Sequence, residues 1–422
     1  MSTGPVYDVI VIGGGASGMM AAGRAAERGL RVLLIEKNKD LGKKLSITGG
    51  GRCNILNAEP DTHALLANYG EAAKFLYSPY AQHGMQDSWD FFETRGLPIV
   101  VEARKRAFPE TQSAPDVTRV MRQYCIDANV ELKTKTRVDE FLTKEGENGG
   151  TELVGVKTNR GDFYGKTFIL ATGGSSHAAT GSTGEGVTWL AQFGHTVHKP
   201  NPNIVPLTVR EDWVKELSGT TLSFMKITFT DQNASKKVTF SRTGKILFTH
   251  FGVSGPLILN AAHEVKRMLR NGPVYASIDM YPDTEIGTLR NRIIAIFDQH
   301  KNKALKNILK EFVPAGMSEA VAAQLETELA DRRVHSVTKD ERHALIDRLK
   351  AMPLTIDGTM GMDWAVISDG GVDMTEVNTK TMVSTKVPNL YFTGDVLNIN
   401  RPSGGYSLQL CWTTGWVAGQ HA

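Results

Sequence analysis

Three glycines near the N-terminus have the spacing of a dinucleotide-binding turn. Gly13, Gly15 and Gly18 form a G-x-G-x-x-G pattern, with Ala16 and Ser17 inside it. The first glycine permits a tight turn, the second lets a pyrophosphate approach the backbone, and the third lets a helix pack on a strand. The N–H groups that open the helix attract phosphate. The hexapeptide alone also occurs in ordinary turns, so its surroundings decide its meaning.

The flanking sequence has the periodicity that this interpretation requires. Residues 7–12 and 31–36 are apolar runs, and a helical pattern extends from residue 16 to about residue 28 between them. Continuous apolar strands joined through a helix are typical of a parallel sheet covered on both faces. Glu36 ends the second run, where a carboxylate accepts hydrogen bonds from ribose hydroxyls. We therefore predict a βαβ unit that binds the ADP half of a dinucleotide, with Lys37 beside Glu36 in the binding set.

Two later strand ends favour FAD over NAD. Apolar runs at residues 168–170 and 390–392 are each followed by a short glycine-containing motif. Either motif alone is also compatible with an ordinary strand end. In this order, they resemble the secondary motifs of glutathione-reductase-like FAD-binding domains, a resemblance that implies a hydrogen bond from the ribityl–phosphate region to Asp395. The cofactor contacts predicted at these strand ends are Ala171, Thr172, Gly173, Gly394 and Asp395.

A basic, glycine-rich stretch covers residues 43–54. Three successive glycines let a backbone pass close to something flat or charged. Lys43 and Arg52 have the charge to bind phosphate or to stabilise an anionic flavin, whereas a flexible surface loop is the alternative interpretation. The cofactor contacts predicted in this stretch are Lys44, Gly50, Gly51, Arg52 and Cys53.

Several longer motifs extend the resemblance over nearly the whole chain. They lie at residues 42–54, 106–109, 180–186, 202–207, 247–256 and 403–406. Together they resemble the BaiN/YhiN-type bacterial flavoproteins, from about residue 7 to the C-terminus. The resemblance implies an α/β fold: a glutathione-reductase-like Rossmann FAD-binding domain with an inserted β-barrel-like domain and a small helical domain. It adds Gly404, Gly405 and Tyr406 to the predicted cofactor contacts.

Changes in residue composition and periodicity along the chain suggest the same division into domains. Prolines and alternating β-branched stretches begin near residue 200, and a helical pattern follows, in which Thr338 and Glu341 form a capping box. The predicted segments are the first part of the FAD domain (1–199), a β-rich insertion (200–283), a helical insertion (284–350), and a barrel return strand with the second part of the FAD domain (351–422).

Flavin supplies hydride transfer, so the protein needs to position a substrate and to provide or accept a proton. Cys53 is one candidate acid, since a thiol beside Arg52 can have a shifted pKa; close packing against the flavin is the alternative. His250 is the other, either as a proton donor at a barrel–flavin junction or as a buried, hydrogen-bonded histidine. Arg106 and Tyr406 are predicted to anchor an anionic or planar substrate. Arg401 could do the same, but a surface salt bridge or packing is the simpler interpretation for it.

Composition limits the remaining possibilities. The 422 residues carry a net charge of only +3, so electrostatics alone predict neither a nucleic-acid nor a membrane partner, although a local basic patch stays possible. Three dispersed cysteines predict neither disulfides nor a metal site and suit the cytoplasm. A second G-x-G-x-x-G in a strand–helix context is missing, so NAD(P)H is expected to visit the flavin transiently. The oligomeric state is left open.

Three functions follow from the motifs and the resemblance. The first is NAD(P)H-driven hydride transfer to an activated C=C bond, with uridine in 23S rRNA, converted to dihydrouridine, as the leading substrate. The second is oxidation of a small amine such as aminoacetone, with release of hydrogen peroxide. The third is a non-enzymatic, flavin-containing module associated with the ribosome.

Overall fold

The computed structural model describes residues 6–146, 149–234, 237–325 and 327–422. The chain forms two compact units. The first contains the chain up to Pro202 and from Val366 to Ala422, and the second contains Asn203–Ala365. The four segments predicted from the sequence divide the chain more finely, and residues 1–5 of the first segment lie outside the described residues.

Strands and helices are numbered in chain order. The strands are β1 (Val6–Ile12), β2 (Val32–Ile35), β3 (Leu56–Asn57), β4 (Ile99–Glu102), β5 (Arg106–Pro109), β6 (Glu131–Lys133), β7 (Val138–Glu145), β8 (Thr151–Thr158), β9 (Gly161–Leu170), β10 (Val197–Asn203), β11 (Leu207–Val209), β12 (Thr221–Asp231), β13 (Val238–Thr249), β14 (Gly252–Ser254), β15 (Val274–Asp279), β16 (Met352–Thr359), β17 (Ile367–Val372) and β18 (Leu390–Phe392). The helices are α1 (Ala16–Glu27), α2 (Thr62–Ala67), α3 (Ala73–Gln82), α4 (Met85–Glu93), α5 (Ala114–Asp127), α6 (Glu185–Gln192), α7 (Asp212–Glu216), α8 (Pro256–Met268), α9 (Ile286–Gln299), α10 (Leu305–Ile308), α11 (Ser318–Ala323), α12 (Thr327–Asp331), α13 (Lys339–Lys350) and α14 (Tyr406–His421).

A parallel sheet organises the first unit. Its parallel strands lie in the order β6-β2-β1-β9-β18, and β8 and β7 continue from the other part of β9 as an antiparallel meander. Ile10 lies between Leu33 and Phe168, and all three are buried. Strands covered on both faces consist of continuous apolar residues, and such runs are the pattern that predicts β1 and β2 from the sequence. The βαβ unit forms as predicted.

The C-terminal helix packs closely on the first helix. A Cβ atom added at Gly415 would lie 2.5 Å from the carbonyl oxygen of Ser17, and one added at Gly419 would lie 2.3 Å from that of Ala21. These glycines therefore bring α14 against α1, the helix that follows the glycine turn. Trp412 is fully buried on α14 and donates to the carbonyl of Ile55 at 3.0 Å.

A closed barrel organises the second unit, in the order β11-β14-β13-β12-β15-β16. The barrel and its helices share one apolar core, with Phe229 and Phe248 among its fully buried side chains. At the start of α13, Thr338 accepts from the backbone N–H of Glu341 at 3.3 Å, and the Glu341 carboxylate accepts from the N–H of Thr338 at 2.8 Å. The predicted capping box is confirmed. Across the four described ranges, no helix is long and apolar enough to cross a membrane.

Candidate functional site

The three glycines of the N-terminal turn have three different environments. Gly13 has a φ of +108°, and a Cβ there would lie 2.4 Å from the carbonyl oxygen of Ala171. A Cβ on Gly18 would lie 1.9 Å from the carbonyl oxygen of Gly13. Gly15, by contrast, would present its Cβ to open space, with no atom within 4 Å. The turn therefore needs glycine at Gly13 and Gly18 for its own packing, whereas Gly15 leaves room for a ligand.

Helix α1 begins directly behind this open space. Gly15 is its N-cap, no side chain caps the helix, and its first turn, including Ala16 and Ser17, has no acidic residue. The free N–H groups and the positive end of the helix dipole can therefore accept an anion. A diphosphate is the group that this position suits.

The carboxylate of Glu36 lies next to the turn. Glu36 is buried, with one oxygen accepting from the N–H of Gly14 at 2.8 Å and the other from the N–H of Asn38 at 2.7 Å. The oxygen that faces Asn38 also accepts from the side-chain amide of Asn38 at 2.8 Å, so the oxygen that faces Gly14 is the one with a lone pair left for a hydroxyl donor. Lys37, in contrast, is held by Glu185 on α6 at 2.9 Å, so its charge is already balanced.

The end of β9 supplies an unpaired polar atom. Among the described residues, the hydroxyl of Thr172 is buried without a hydrogen-bond partner. Gly173 follows it with a φ of +73°, in the left-handed region that favours glycine. Buried hydroxyls are normally satisfied, so the orphan at Thr172 indicates a polar ligand beside the turn.

The segment after β18 lies against the start of α1. The hydroxyl of Thr393 donates to the hydroxyl of Ser17 at 3.0 Å, and the N–H of Gly394 donates to Thr414 at 2.9 Å. The carboxylate of Asp395 pairs with the guanidinium of Arg401. Gly394 and Asp395 are thus brought to the N-terminal turn, although they lie far from it in the sequence.

Arg401 is a buried cation rather than a surface residue. Its side chain is fully buried, and it donates to the carbonyl of Ile399 at 2.7 Å and to the hydroxyl of Ser407 at 3.1 Å, besides pairing with Asp395. The expected salt bridge exists, but it lies inside the first unit. Sequence periodicity missed its burial because Arg401 is in a loop, where no helical or strand pattern indicates a buried face.

Lys44 carries a second charge close to Asp395. Burial lowers the pKa of Lys44 from its ordinary value, while Asp395 favours the charged form. Its ammonium group reaches the hydroxyl of Ser176 at 3.4 Å. Lys44 therefore lies beside two of the predicted cofactor segments. Lys43 differs, since it is exposed and donates to the carbonyl of Ala179 at 2.7 Å.

The three glycines of the basic stretch form an open turn. Gly50 and Gly51 have φ values of +66° and +87°, and a Cβ added to either would meet no atom within 4 Å. Cys53 ends the turn with a φ of 60° and is fully buried. Burial raises the pKa of its thiol to about 12. Activation by the positive charge of Arg52 would lower the pKa of this thiol, whereas the pKa is raised. Cys53 therefore stays protonated at neutral pH.

Arg52 points toward a partner that the sequence did not suggest. Its guanidinium pairs with Glu102, lies 4.2 Å from the ring centre of Phe108, and donates to Gln112 at 2.6 Å. Arg106 approaches the same carboxylate at 3.9 Å. The structure therefore joins one predicted cofactor contact and one predicted substrate contact through Glu102. Strand pairing of β4 with β5 places Glu102 opposite Arg106 and could not be read from local sequence.

Gly404 and Gly405 precede α14 with φ values of +119° and +101°. A Cβ on Gly405 would lie 2.1 Å from the carbonyl carbon of Leu56, so only glycine fits there. Tyr406 follows, partly buried, and its carbonyl accepts from the hydroxyl of Tyr69 at 2.8 Å. Tyr69 was missed, and it anchors the start of α14 through a tyrosine pair with Tyr80.

His250 lies in the second unit, in the turn between β13 and β14. Its imidazole is exposed and packs edge-on against Phe251, with ring centres 4.9 Å apart. The interpretation of His250 as a buried histidine is therefore wrong. Its role as a proton donor stays a prediction. In the part of the chain that the structure describes, no cluster of three or more metal-ligating side chains occurs.

Comparison with known proteins decides the family. The family model described as "HI0933-like protein Rossmann domain" matches residues 7–421. The chain belongs to the HI0933-like family. Among curated relatives, the chain is 29% identical over 418 residues to "Ribosomal RNA dihydrouridine synthase" of Escherichia coli, covering 98% of this chain and 97% of the relative. It is 28% identical over 424 residues to "3-dehydro-bile acid delta(4,6)-reductase" of Clostridium scindens, covering 98% of each.

Solved structures support the same fold. A 3-ketosteroid delta1-dehydrogenase from Sterolibacterium denitrificans superposes with a TM-score of 0.54 at 13% identity, covering 99% of each chain. A flavocytochrome c3 fumarate reductase superposes with a TM-score of 0.54 at 15% identity, covering 99% of this chain and 78% of its own. The HI0933-like chain thus has the Rossmann-type FAD-binding fold, in a family of FAD-dependent oxidoreductases.

The residues of this HI0933-like chain fit such a cofactor. The open space at Gly15, the uncapped start of α1 and the orphan hydroxyl of Thr172 supply the polar cradle that a dinucleotide requires. Glu36 retains acceptor capacity for a ribose, and Asp395 lies beside the same turn. All but one of the predicted site residues belong to the first unit; the exception is His250.

Proposed function

We propose that this protein binds FAD in the first unit and, after reduction by NAD(P)H, reduces an activated C=C bond. The uracil ring of a ribosomal RNA uridine is the leading substrate. The observation that carries the proposal is the full-length similarity to relatives named for making dihydrouridine, joined to a site whose open cradle fits a dinucleotide. The relative named as a bile acid reductase favours reduction as the shared reaction class.

The residues of the chain have distinct tasks in this scheme. When bound, FAD supplies the hydride that one carbon of the double bond receives. Gly15 and the start of α1 hold the diphosphate, while Glu36 holds the ribose. The neighbouring carbon takes a proton from a donor that is protonated at neutral pH. Cys53 meets this requirement because the pKa of its thiol is raised to about 12, and His250 is the alternative donor.

We assign Arg106 and Tyr406 the task of anchoring the substrate. Arg106 is partly exposed, its Nε donates to the carbonyl of Ala103 at 3.1 Å, and a terminal nitrogen lies 3.9 Å from Glu102. This loose pairing with Glu102 leaves the terminal nitrogens able to meet an anionic or planar group. Tyr406 opens α14 directly after the two left-handed glycines. In this proposal, NAD(P)H binds transiently at the flavin rather than in a dedicated domain.

An anaerobic kinetic experiment tests the proposal. Purified holoenzyme is mixed with NADH or NADPH, and loss of the visible flavin absorbance is followed; uridine-containing 23S rRNA transcript is then added. We expect the transcript to reoxidise the flavin and to gain two hydrogens per modified uridine, as measured by nucleoside mass spectrometry. Reoxidation by oxygen with release of hydrogen peroxide in the presence of aminoacetone, but none by RNA, would overturn the reductase assignment in favour of an amine oxidase.

A further inference from the structure

An exposed, strained phenylalanine interrupts the barrel wall. Phe224 is 74% exposed and has a φ of 59°, a conformation that bulky residues rarely adopt. It lies at a register shift between β12 and β13, where Leu222 pairs with Ile246 and Met225 pairs with Gly244. Strained residues persist where the surrounding structure holds them and often serve a function. The bulge therefore presents an aromatic ring to solvent at a fixed place.

Two lysines flank this ring. Lys245 lies opposite the bulge in the strand register, and Lys226 lies two residues after Phe224; both are exposed. Within the described ranges, neither has a salt-bridge partner, whereas Arg242 nearby is paired with Glu264 at 2.7 Å. Asp279 on β15 is opposite Lys226, but its carboxylate is already paired with Lys350 of α13 at 2.8 Å. The surface around Phe224 therefore carries uncompensated positive charge.

Hydroxyl groups continue the same solvent-facing side of the sheet. Thr228 and Ser241 lie opposite each other, with their oxygens 2.8 Å apart, and Thr230 pairs with both Thr239 and Tyr275 in the next register position. Tyr275 is 45% exposed. We name this surface the barrel outer face, defined by Phe224, Lys226, Thr228, Ser241, Lys245 and Tyr275.

We propose that the barrel outer face binds single-stranded RNA, an inference that rests on the proposed RNA substrate. Sequence-tolerant RNA binding combines aromatic rings, on which bases stack, with cations that neutralise phosphates. Phe224 and Tyr275 supply the rings, Lys226 and Lys245 supply the charge, and the hydroxyls suit the sugar–phosphate backbone. A membrane surface fits less well, because polar hydroxyls rather than apolar side chains separate the two rings.

Direct binding measurements test this surface without relying on catalysis. The FAD-loaded protein is titrated into a fluorescently labelled single-stranded transcript of 23S rRNA, and anisotropy is followed at several salt concentrations. Phe224→Asn removes the ring and keeps a residue that tolerates the left-handed backbone. We expect it to weaken affinity about tenfold with little change in salt dependence. Lys226→Gln with Lys245→Gln is expected to reduce the slope of log affinity against log salt by about 1.4.

Matched controls test whether the loss of positive charge or of an exposed apolar side chain elsewhere in the second unit also weakens RNA binding. Lys310→Gln with Lys339→Gln removes two exposed lysines from the helical part, and Ile286→Ala removes an exposed side chain at the start of α9. Both controls are expected to bind RNA as the unmodified protein does. Unmodified protein that fails to bind RNA, or outer-face variants that bind it equally well, would overturn the proposal. So would variants that lose affinity only for vesicles containing anionic lipid.

Dihydrouridine formation, assayed separately, distinguishes this proposal from the proposed function. RNA bound through the barrel outer face, without any dihydrouridine in the product, would remove the reductase assignment and leave the binding surface standing. Dihydrouridine formed by the outer-face variants with an unchanged KM for RNA would remove the binding surface and leave the reductase assignment standing.

Discussion

Gly15 is the residue at which the cofactor assignment is easiest to test. Its backbone is in the ordinary extended region, with a φ of −80°, and an added side chain would enter open space. A valine is therefore compatible with the fold of the ligand-free protein. We expect Gly15→Val to fold normally and to lose FAD, because the side chain would occupy the space of the diphosphate. The absorbance ratio of flavin to protein after purification measures this loss.

Gly287 offers a matched control for that substitution. It lies in α9 of the second unit, and a Cβ there also meets no atom within 4 Å. Gly287→Val should retain full flavin occupancy. A Gly15→Val protein that purifies with the same flavin content as the Gly287 variant would contradict the placement of the diphosphate.

Cys53 and Cys125 form a second matched pair. Both thiols are fully buried, and burial raises the pKa of each to about 12. If Cys53 donates the proton, Cys53→Ser should retain FAD and reduce flavin at the normal rate, yet slow substrate reduction by about a hundredfold or more. Cys125→Ser should leave both half-reactions unchanged. Single-turnover kinetics separates the two steps, and equal rates for both variants would assign Cys53 to packing alone.

The ion pair between Arg401 and Asp395 lies within the connection between β18 and α14 in the first unit. Removing one partner of a buried pair leaves an uncompensated charge, which costs about 3–5 kcal/mol. Arg401→Met should therefore lower the free energy of unfolding by about that amount. Adding Asp395→Asn should restore part of the loss, since the isolated carboxylate is then gone. Urea unfolding measures both, and a single variant as stable as the unmodified protein would show that the pair is not stabilising.

At the scale of elements, a histidine connects α3 and α4 to the C-terminal helix. His83 directly follows the last residue of α3 and is buried, and its ring stacks on Trp416 at 5.3 Å between ring centres. Ser88 on α4 approaches its Nε2 atom at 3.1 Å, and Thr413 on α14 donates to its carbonyl at 2.8 Å. Protonation of this imidazole would place a charge in an apolar interface.

Burial lowers the pKa of His83 from 6.5 to about 4. Because the folded-state pKa is below the unfolded value, this contribution to stability is complete above pH 6.5 and is lost as the pH falls toward 4. Its size is up to about 3 kcal/mol. His83→Gln should flatten the dependence of the free energy of unfolding on pH in this window. His63→Gln, at an exposed position, should leave the slope unchanged.

The elements that could be predicted from the sequence are those with local signals. The run before Gly13, the helix that ends near Gly29 and the capping box at Thr338 each have a short-range physical cause, and each forms as expected. The partners of Arg52 and Asp395 could not be predicted in the same way. Glu102 is fifty residues from Arg52 in the sequence, so this contact depends on tertiary folding. Arg401 reaches Asp395 within an irregular connection, where no helical or strand period predicts which side chains meet.

At the scale of the whole molecule, the two units have separate apolar cores. A ligand that binds the native state stabilises it by about 2.7 kcal/mol at a hundredfold excess over Kd. We expect added FAD to slow amide hydrogen exchange in the first unit, most strongly around the glycine turn and the end of β9. Exchange in the barrel core should change much less. Equal protection in both units, or protection that persists in Gly15→Val, would contradict a cofactor site confined to the first unit.

The path of the chain through the sheet has a consequence for synthesis on the ribosome. The last strand, β18, pairs with β9 only after the whole stretch from Asn203 to Ala365 has been translated. Until then, Phe168 and Ile169 of the nascent chain lack one of their two neighbours. Unpaired apolar strands are prone to aggregation before they are covered. The length of the insertion therefore sets how long this edge of β9 stays unpaired during translation.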